Sequence, residues 1–171
     1  MGRFFNLVDT PKHREEFKRY YRILSNVSIQ HCNIGEWNEK RPIEAVVISM
    51  IAFIEGGMRI PMDRVTRDFL TLFRLCPTLC GPNIFRVLGR LDAMNEKMGI
   101  NLTHHNINWI YSFQKNNKAN YYLKTRVPAV RLISCLLKTN KGMDEEFLII
   151  SEEWHDGLHC PTMDGISGGT V

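Results

Sequence analysis

The sequence is poor in the features that assign a chain to a class at a glance. Its longest apolar run, Ala45 to Ile54, is broken by Ser49 and is too short to cross a bilayer. The opening stretch MGRFFNLVDTPKHREEF has neither an apolar h-region nor a small-residue cleavage site, so it is no secretory signal. Asn6 stands where a myristoylation motif wants serine or threonine. Five cysteines, an odd number without regular spacing, suit a reducing compartment better than a disulfide framework. The expectation is an intracellular protein, cytoplasmic or nuclear, with no membrane contact. Twelve glycines and seven prolines in 171 residues, without an internal repeat, exclude a collagen-like or mucin-like chain, and 44% hydrophobic residues exclude a wholly disordered one.

Catalytic signatures are scarce too. The glycine pairs Gly56-Gly57 and Gly168-Gly169 are not followed by the lysine and hydroxyl of a phosphate-binding loop. No local motif marks Cys32, Cys76 or Cys135 as a nucleophile paired with histidine. Two-metal phosphoryl transfer needs carboxylates converging on a β-rich core. Here the acids either alternate with arginine on helix faces or crowd into Asp144 to Glu153. Zinc would need four converging ligands in close pairs. Cys76 with Cys80 and His155 with His159 have the spacing, yet Pro77 and Pro82 make the first pair a helix–helix turn and the second lies in an aperiodic tail. Buried cysteine behaving as a small hydrophobe is the stronger reading. The expectation is therefore no enzyme, no metal, no cofactor and no small-molecule substrate, with transposase or nuclease activity the weakest alternative.

What is present is one domain's worth of chain, long enough to bury roughly 70% of its unfolded surface. Thr10-Pro11 reads as a cap and first position of a helix carrying Phe17, Tyr20, Tyr21 and Leu24 on one face. Ser25 to Arg41 reads as a loop with a short strand at Val27 to Gln30. Pro42 opens a helix over Ile43 to Glu55, apolar nearly all round and stopped by Gly56-Gly57. A helix starting at Pro61 follows, with Val65, Phe69, Leu72 and Phe73 inward. Asn83 reads as the cap of a fourth helix ended by Gly99, and Thr103 as the cap of a fifth with Ile107, Ile110, Tyr111 and Phe113 inward. Ala119 to Thr125 and Glu146 to Ser151 read as strands, Val130 to Leu137 is open between strand and helix, and Asn140-Lys141-Gly142 reads as a turn. The predicted fold is mainly α, with about five helices and a small C-terminal antiparallel β-hairpin. Its predicted parts are an N-terminal helix and loop over 1–42, a helical domain over 43–154 and a disordered tail over 155–171.

Charge is mild in sum, +4, and polarised in detail. Lys115, Lys118, Lys124, Arg126, Arg131, Lys138 and Lys141 fall in one stretch without an acid. Asp144, Glu145, Glu146, Glu152, Glu153, Asp156 and Asp164 fall in the next without a base. Such blocks steer partners, or neutralise each other across a hairpin. Within the first block, Lys115, Lys118, Tyr121, Tyr122, Lys124, Arg126 and Arg131 mix cations with aromatics, the combination that holds phosphates and stacks on bases. A strand pair with core tyrosines and solvated lysines is the competing reading.

One ordered set of residues resembles a known family. It comprises Gly57-Met58-Arg59-Ile60-Pro61-Met62, Phe69-Leu70, Leu79, Gly81-Pro82-Asn83-Ile84-Phe85-Arg86 and Met98-Gly99-Ile100. It continues through Ala119-Asn120-Tyr121-Tyr122-Leu123, Thr139-Asn140-Lys141-Gly142 and Phe147-Leu148-Ile149-Ile150-Ser151 to Trp154. This resembles the plant gypsy-type transposase domain, the gag-like N-terminal region of plant LTR retrotransposons. Phe85 departs from it, standing where a tryptophan is usual, as does Met143-Asp144 where Trp-Lys is usual. The resemblance implies a retroelement-derived, gag-like structural or interaction domain without catalytic activity, cut from a longer protein. Its partners would be copies of itself or the element's RNA or DNA. It supplies no catalytic residue.

Overall fold

In the computed structural model, the described residues are 2–33, 36, 45–117, 120–134 and 146–151. Helix α1, Pro11–Tyr20, starts as its sequence dictates: Thr10 Oγ1 accepts the His13 N–H at 3.1 Å, and Pro11 occupies the first turn. Buried Lys18 donates to the Ser25 carbonyl at 2.9 Å and the Val27 carbonyl at 3.2 Å, which folds the following loop back onto the helix. Strand β1 is Ser28–Asn33 and β2 is Val46–Ser49, running directly into α2, Met50–Ile54. Helix α3, Arg64–Leu72, is capped by Asp63, whose carboxylate accepts the Thr66 N–H at 2.8 Å. A 3₁₀ turn at Pro77–Leu79 leads into α4, Pro82–Met98, which Gly99 ends at φ 61°. Helix α5, His104–Ile110, opens where Asn106 Oδ1 accepts the Thr103 N–H at 2.8 Å. Strands β3, Tyr111–Lys115, β4, Tyr121–Thr125, and β5, Glu146–Ser151, follow.

The expectation of a mainly α fold with one hairpin is wrong. Among the described residues, helix at about 43% and strand at about 23%, in five helices and two sheets, make a mixed α/β fold. The three-stranded sheet has the order β1-β5-β2, antiparallel throughout, with Ile29 opposite Ile150 and Val47 opposite Ile149. The second sheet is the β3–β4 hairpin, with Phe113 opposite Leu123. The strands anticipated at Ala119 to Thr125 and Glu146 to Ser151 therefore do not pair with each other, while the one anticipated at Val27 to Gln30 overlaps β1, which pairs with β5. A buried central strand and a buried helix both read as continuous apolar runs. For that reason Val46–Ser49, expected inside a helix, is a strand: its β-branched residues Val46, Val47 and Ile48 fit the pleat and are buried. Tyr111 and Phe113, expected on a helix, belong to β3. Pro61 precedes α3 rather than opening it. Ile43, Ala119, the turn at Asn140-Lys141-Gly142, Cys135 to Leu137 and the tail over 155–171 lie outside the described residues. Val130 to Ser134, in the stretch left open between strand and helix, takes neither form.

One face of the larger sheet, carrying Ile29, Ile48, Leu148 and Ile150, packs into the main core with Phe17, Phe53, Phe69, Leu88 and Leu91. Cys32, Val47, Phe147 and Ile149 form a smaller cluster on the opposite face. The N-terminal helix and loop supply Phe17, Ile23, Val27 and Ile29 to the main core.

Two helix ends carry arginine where glycine is usual: Arg22 at φ 55° after α1 and Arg74 at φ 51° after α3. At the second, the Leu75 N–H closes back on the Leu70 carbonyl at 2.9 Å. A side chain in this left-handed conformation costs roughly 1 kcal/mol that glycine avoids. Arg74→Gly is therefore expected to raise the melting temperature by a few degrees, about 0.5–1 kcal/mol. A thermal melt that fell instead would show that Arg74 makes contacts outweighing its backbone.

Candidate nucleic-acid interface

The hairpin distributes the sequence-predicted site over two faces. Alternation along β3 and β4 places Tyr111, Phe113, Tyr121 and Leu123 toward the core and Ser112, Gln114, Tyr122 and Lys124 on the other side. Tyr121 stacks on Phe113, with centroids 4.8 Å apart and planes 4° apart. Phe113 stacks in turn on Phe73 at 5.1 Å. The Lys115 ammonium sits 5.5 Å from the Tyr121 centroid. The Tyr121 ring is thus already engaged within the protein. Arg126 Nε donates to the Asn108 carbonyl at 2.7 Å, and Arg131 Nε to the Pro128 carbonyl at 2.8 Å. Lys124 is exposed and Tyr122 half-buried, while Lys118 lies outside the described residues. The basic stretch forms no single platform among the described residues.

A different surface does concentrate charge. A groove of about 820 Å³ runs between the C-terminal end of α1, the turn after α2, one face of α4 and residues 132–134. Five cations line it, Arg22, Arg59, Arg86, Arg90 and Lys97, against two carboxylates, Glu55 and Glu96. The α4 members, Arg86, Arg90 and Lys97, fall on one helical stripe. Gly89 and Ala93 lie on the same stripe and keep the floor open; a Cβ at Gly89 would meet nothing within 4 Å. Gly56 has a different duty, since a Cβ there would collide with the backbone oxygens of Ala52 and Pro82 where α4 crosses the end of α2. Arg59 is tied to Asp92 by a salt bridge. Burial, reinforced by Asp63, raises the Asp92 carboxyl above its ordinary range, and Arg59 opposes that rise. Arg131, a residue of the predicted site, reaches the rim: its guanidinium lies 3.5 Å from the carbonyl of Ser134, which lines the groove.

No family model, curated protein or solved structure matches the chain. The reading of the groove rests on the residues themselves. Sequence reasoning missed it because α1 and α4 are distant in the chain. The signal available was the pair Arg86 and Arg90, four apart on a helix whose opposite face is apolar.

Cys76, Cys80, His104 and His105 do not line the groove. Cys76 and Cys80 are buried, with Cys76 Sγ 3.3 Å from Thr78 Oγ1 and Cys80 Sγ 3.6 Å from the Cys76 carbonyl. Their proposed zinc partners His155 and His159 lie outside the described residues. His104 and His105 lie against each other at 4.1 Å. Burial, with His105 adding to it, lowers the His104 pKa below the ordinary imidazole value. Among the described residues no group of three or more His, Cys, Asp or Glu is placed to hold a metal, and no helix is long and apolar enough to cross a membrane.

Proposed function

We propose that the chain is a non-enzymatic, gag-like binding domain whose partner is nucleic acid, and that the α4 groove is the surface it uses. The observation that carries this reading is the collection of five cations, one of them tied to Asp92, against two lining carboxylates around one open trough. Clustered arginine and lysine attract a polyanion by releasing its counterions, and arginine forks match phosphate oxygens. The resemblance to the gypsy-type domain supports the same class of partner and supplies no catalytic residue.

The test is fluorescence anisotropy with a labelled RNA oligonucleotide across a salt series. Each lost phosphate contact lowers the slope of log affinity against log salt by about one. The double variant Arg86→Ala, Arg90→Ala is expected to lower it by about two and to weaken binding roughly tenfold. The hairpin variant Lys115→Ala, Lys124→Ala is expected to bind nearly as the parent does. A reversed pattern would move the interface to the hairpin. No change in either would sink the nucleic-acid reading.

A further inference from the structure

We infer that the groove takes single-stranded nucleic acid, with one unpaired base stacked on Tyr20. This deepens the proposed function and rests on it. Tyr20 is the last residue of α1 and is 79% exposed. Its ring is nonetheless held from behind. Tyr21 meets it edge-on at 4.9 Å, Tyr21 lies against Phe17 at 4.4 Å, and Phe17 meets Phe53 at 6.0 Å. Phe17 and Phe53 are core residues, so Tyr20 is the outermost ring of a chain rooted in the core. Burial, with Tyr20 beside it, pushes the Tyr21 hydroxyl pKa up.

Tyr20 and Tyr21 line two troughs at once. One is the cationic groove, with Arg22, Arg86 and Arg90. The other is a trough of about 750 Å³ lined by Arg19, Glu16 and His13, whose ring lies against Asp9 at 2.5 Å. A strand passing from one trough to the other therefore finds arginine for its backbone in each and an aromatic face between them. Duplex bases are already stacked on each other and cannot use that face, whereas an unpaired base can. Stacking on an exposed aromatic ring tolerates any base, so the site selects strandedness rather than sequence.

The full chain should be titrated with a labelled twelve-nucleotide oligouridine, the matching oligodeoxythymidine, a twelve-base-pair RNA duplex and polyglutamate. Single strands are expected to bind at least about tenfold more tightly than the duplex. Tyr20→Ala is expected to weaken single-strand binding about tenfold while leaving duplex binding and the salt slope unchanged. Tyr20→Phe should keep the parent affinity. Because Tyr20 is exposed, the alanine variant should melt as the parent does. Equal affinity for single strand and duplex, with no effect of Tyr20→Ala, would overturn the inference while loss of binding in the Arg86→Ala, Arg90→Ala variant kept the groove reading. Polyglutamate binding as tight as RNA, insensitive to Tyr20, would overturn it in favour of an acidic protein partner. Failure of every probe to bind would remove both readings.

Discussion

Alanine at position 83 is expected to lower the unfolding free energy by about 3 kcal/mol and to loosen the β3–β4 hairpin first. Asn83 is 3% exposed. Its Nδ2 donates to the Leu123 carbonyl at 2.8 Å, and its Oδ1 accepts the Leu123 N–H at 3.2 Å. The side-chain amide thus offers β4 the donor and acceptor that a neighbouring strand would offer. The same edge is extended by the Gly81 N–H, which donates to the Tyr121 carbonyl at 2.8 Å, and by a parallel bridge between Cys80 and Tyr121. Truncation to alanine leaves one buried N–H and one buried carbonyl without this partner, each worth roughly 1–3 kcal/mol. Asn83→Asp is expected to do no better, because it sets a carboxylate oxygen against the Leu123 carbonyl. Urea denaturation measures the global loss, and amide exchange at Leu123 measures the local one. A variant within about 0.5 kcal/mol of the parent would contradict this account.

Asn83 also shows where the sequence stops being informative. An asparagine ahead of an apolar helix reads as a cap. Pro82, however, already lies inside the helix, Gly81 is the residue at its boundary, and the amide is left to serve β4. The caps at Thr10 and Thr103 and the Gly99 stop were legible because each depends on neighbours within one helical turn. The strand at Glu146–Ser151 was legible from its apolar run. Its partners were not, because pairing Ile150 with Ile29 and with Val46 joins segments far apart in the chain. Val46–Ser49 was misread because burial on all sides erases the difference between the two periods. The candidate site divides the same way. Composition located cations and tyrosines in the hairpin but could not show that Tyr121 is already stacked on Phe113. The groove needed Tyr20 at the end of α1 and Arg22 just after it beside Arg86 and Arg90 from α4, a juxtaposition made by the common core under both helices.

The second large effect is expected at Glu146, whose replacement by alanine should cost about 3–5 kcal/mol. The residue opens β5, the central strand, and is 1% exposed. Its Oε2 accepts the Phe4 N–H at 2.8 Å, and its Oε1 lies 3.3 Å from His31 Nε2, reached diagonally across the β1–β5 ladder. Phe5 covers His31 edge-on at 5.1 Å, and a Cβ on Gly2 would overlap the Glu146 side chain. One carboxylate therefore fixes both the N-terminal segment and the edge strand to the sheet centre. Alanine would strip the partner from a backbone N–H and a ring nitrogen together, and open a cavity beneath Phe5. Glu146→Gln retains a carbonyl oxygen for the Phe4 N–H and offers its amide to the imidazole in its acceptor tautomer, so it should recover more than half of the loss. In a double-mutant cycle with His31→Ala, a coupling of roughly 1 kcal/mol or more is expected for groups in direct contact. Equal losses for glutamine and alanine would show that the ionised carboxylate itself is required. An alanine variant as stable as the parent would show that the N-terminal segment is held by its aromatic contacts alone.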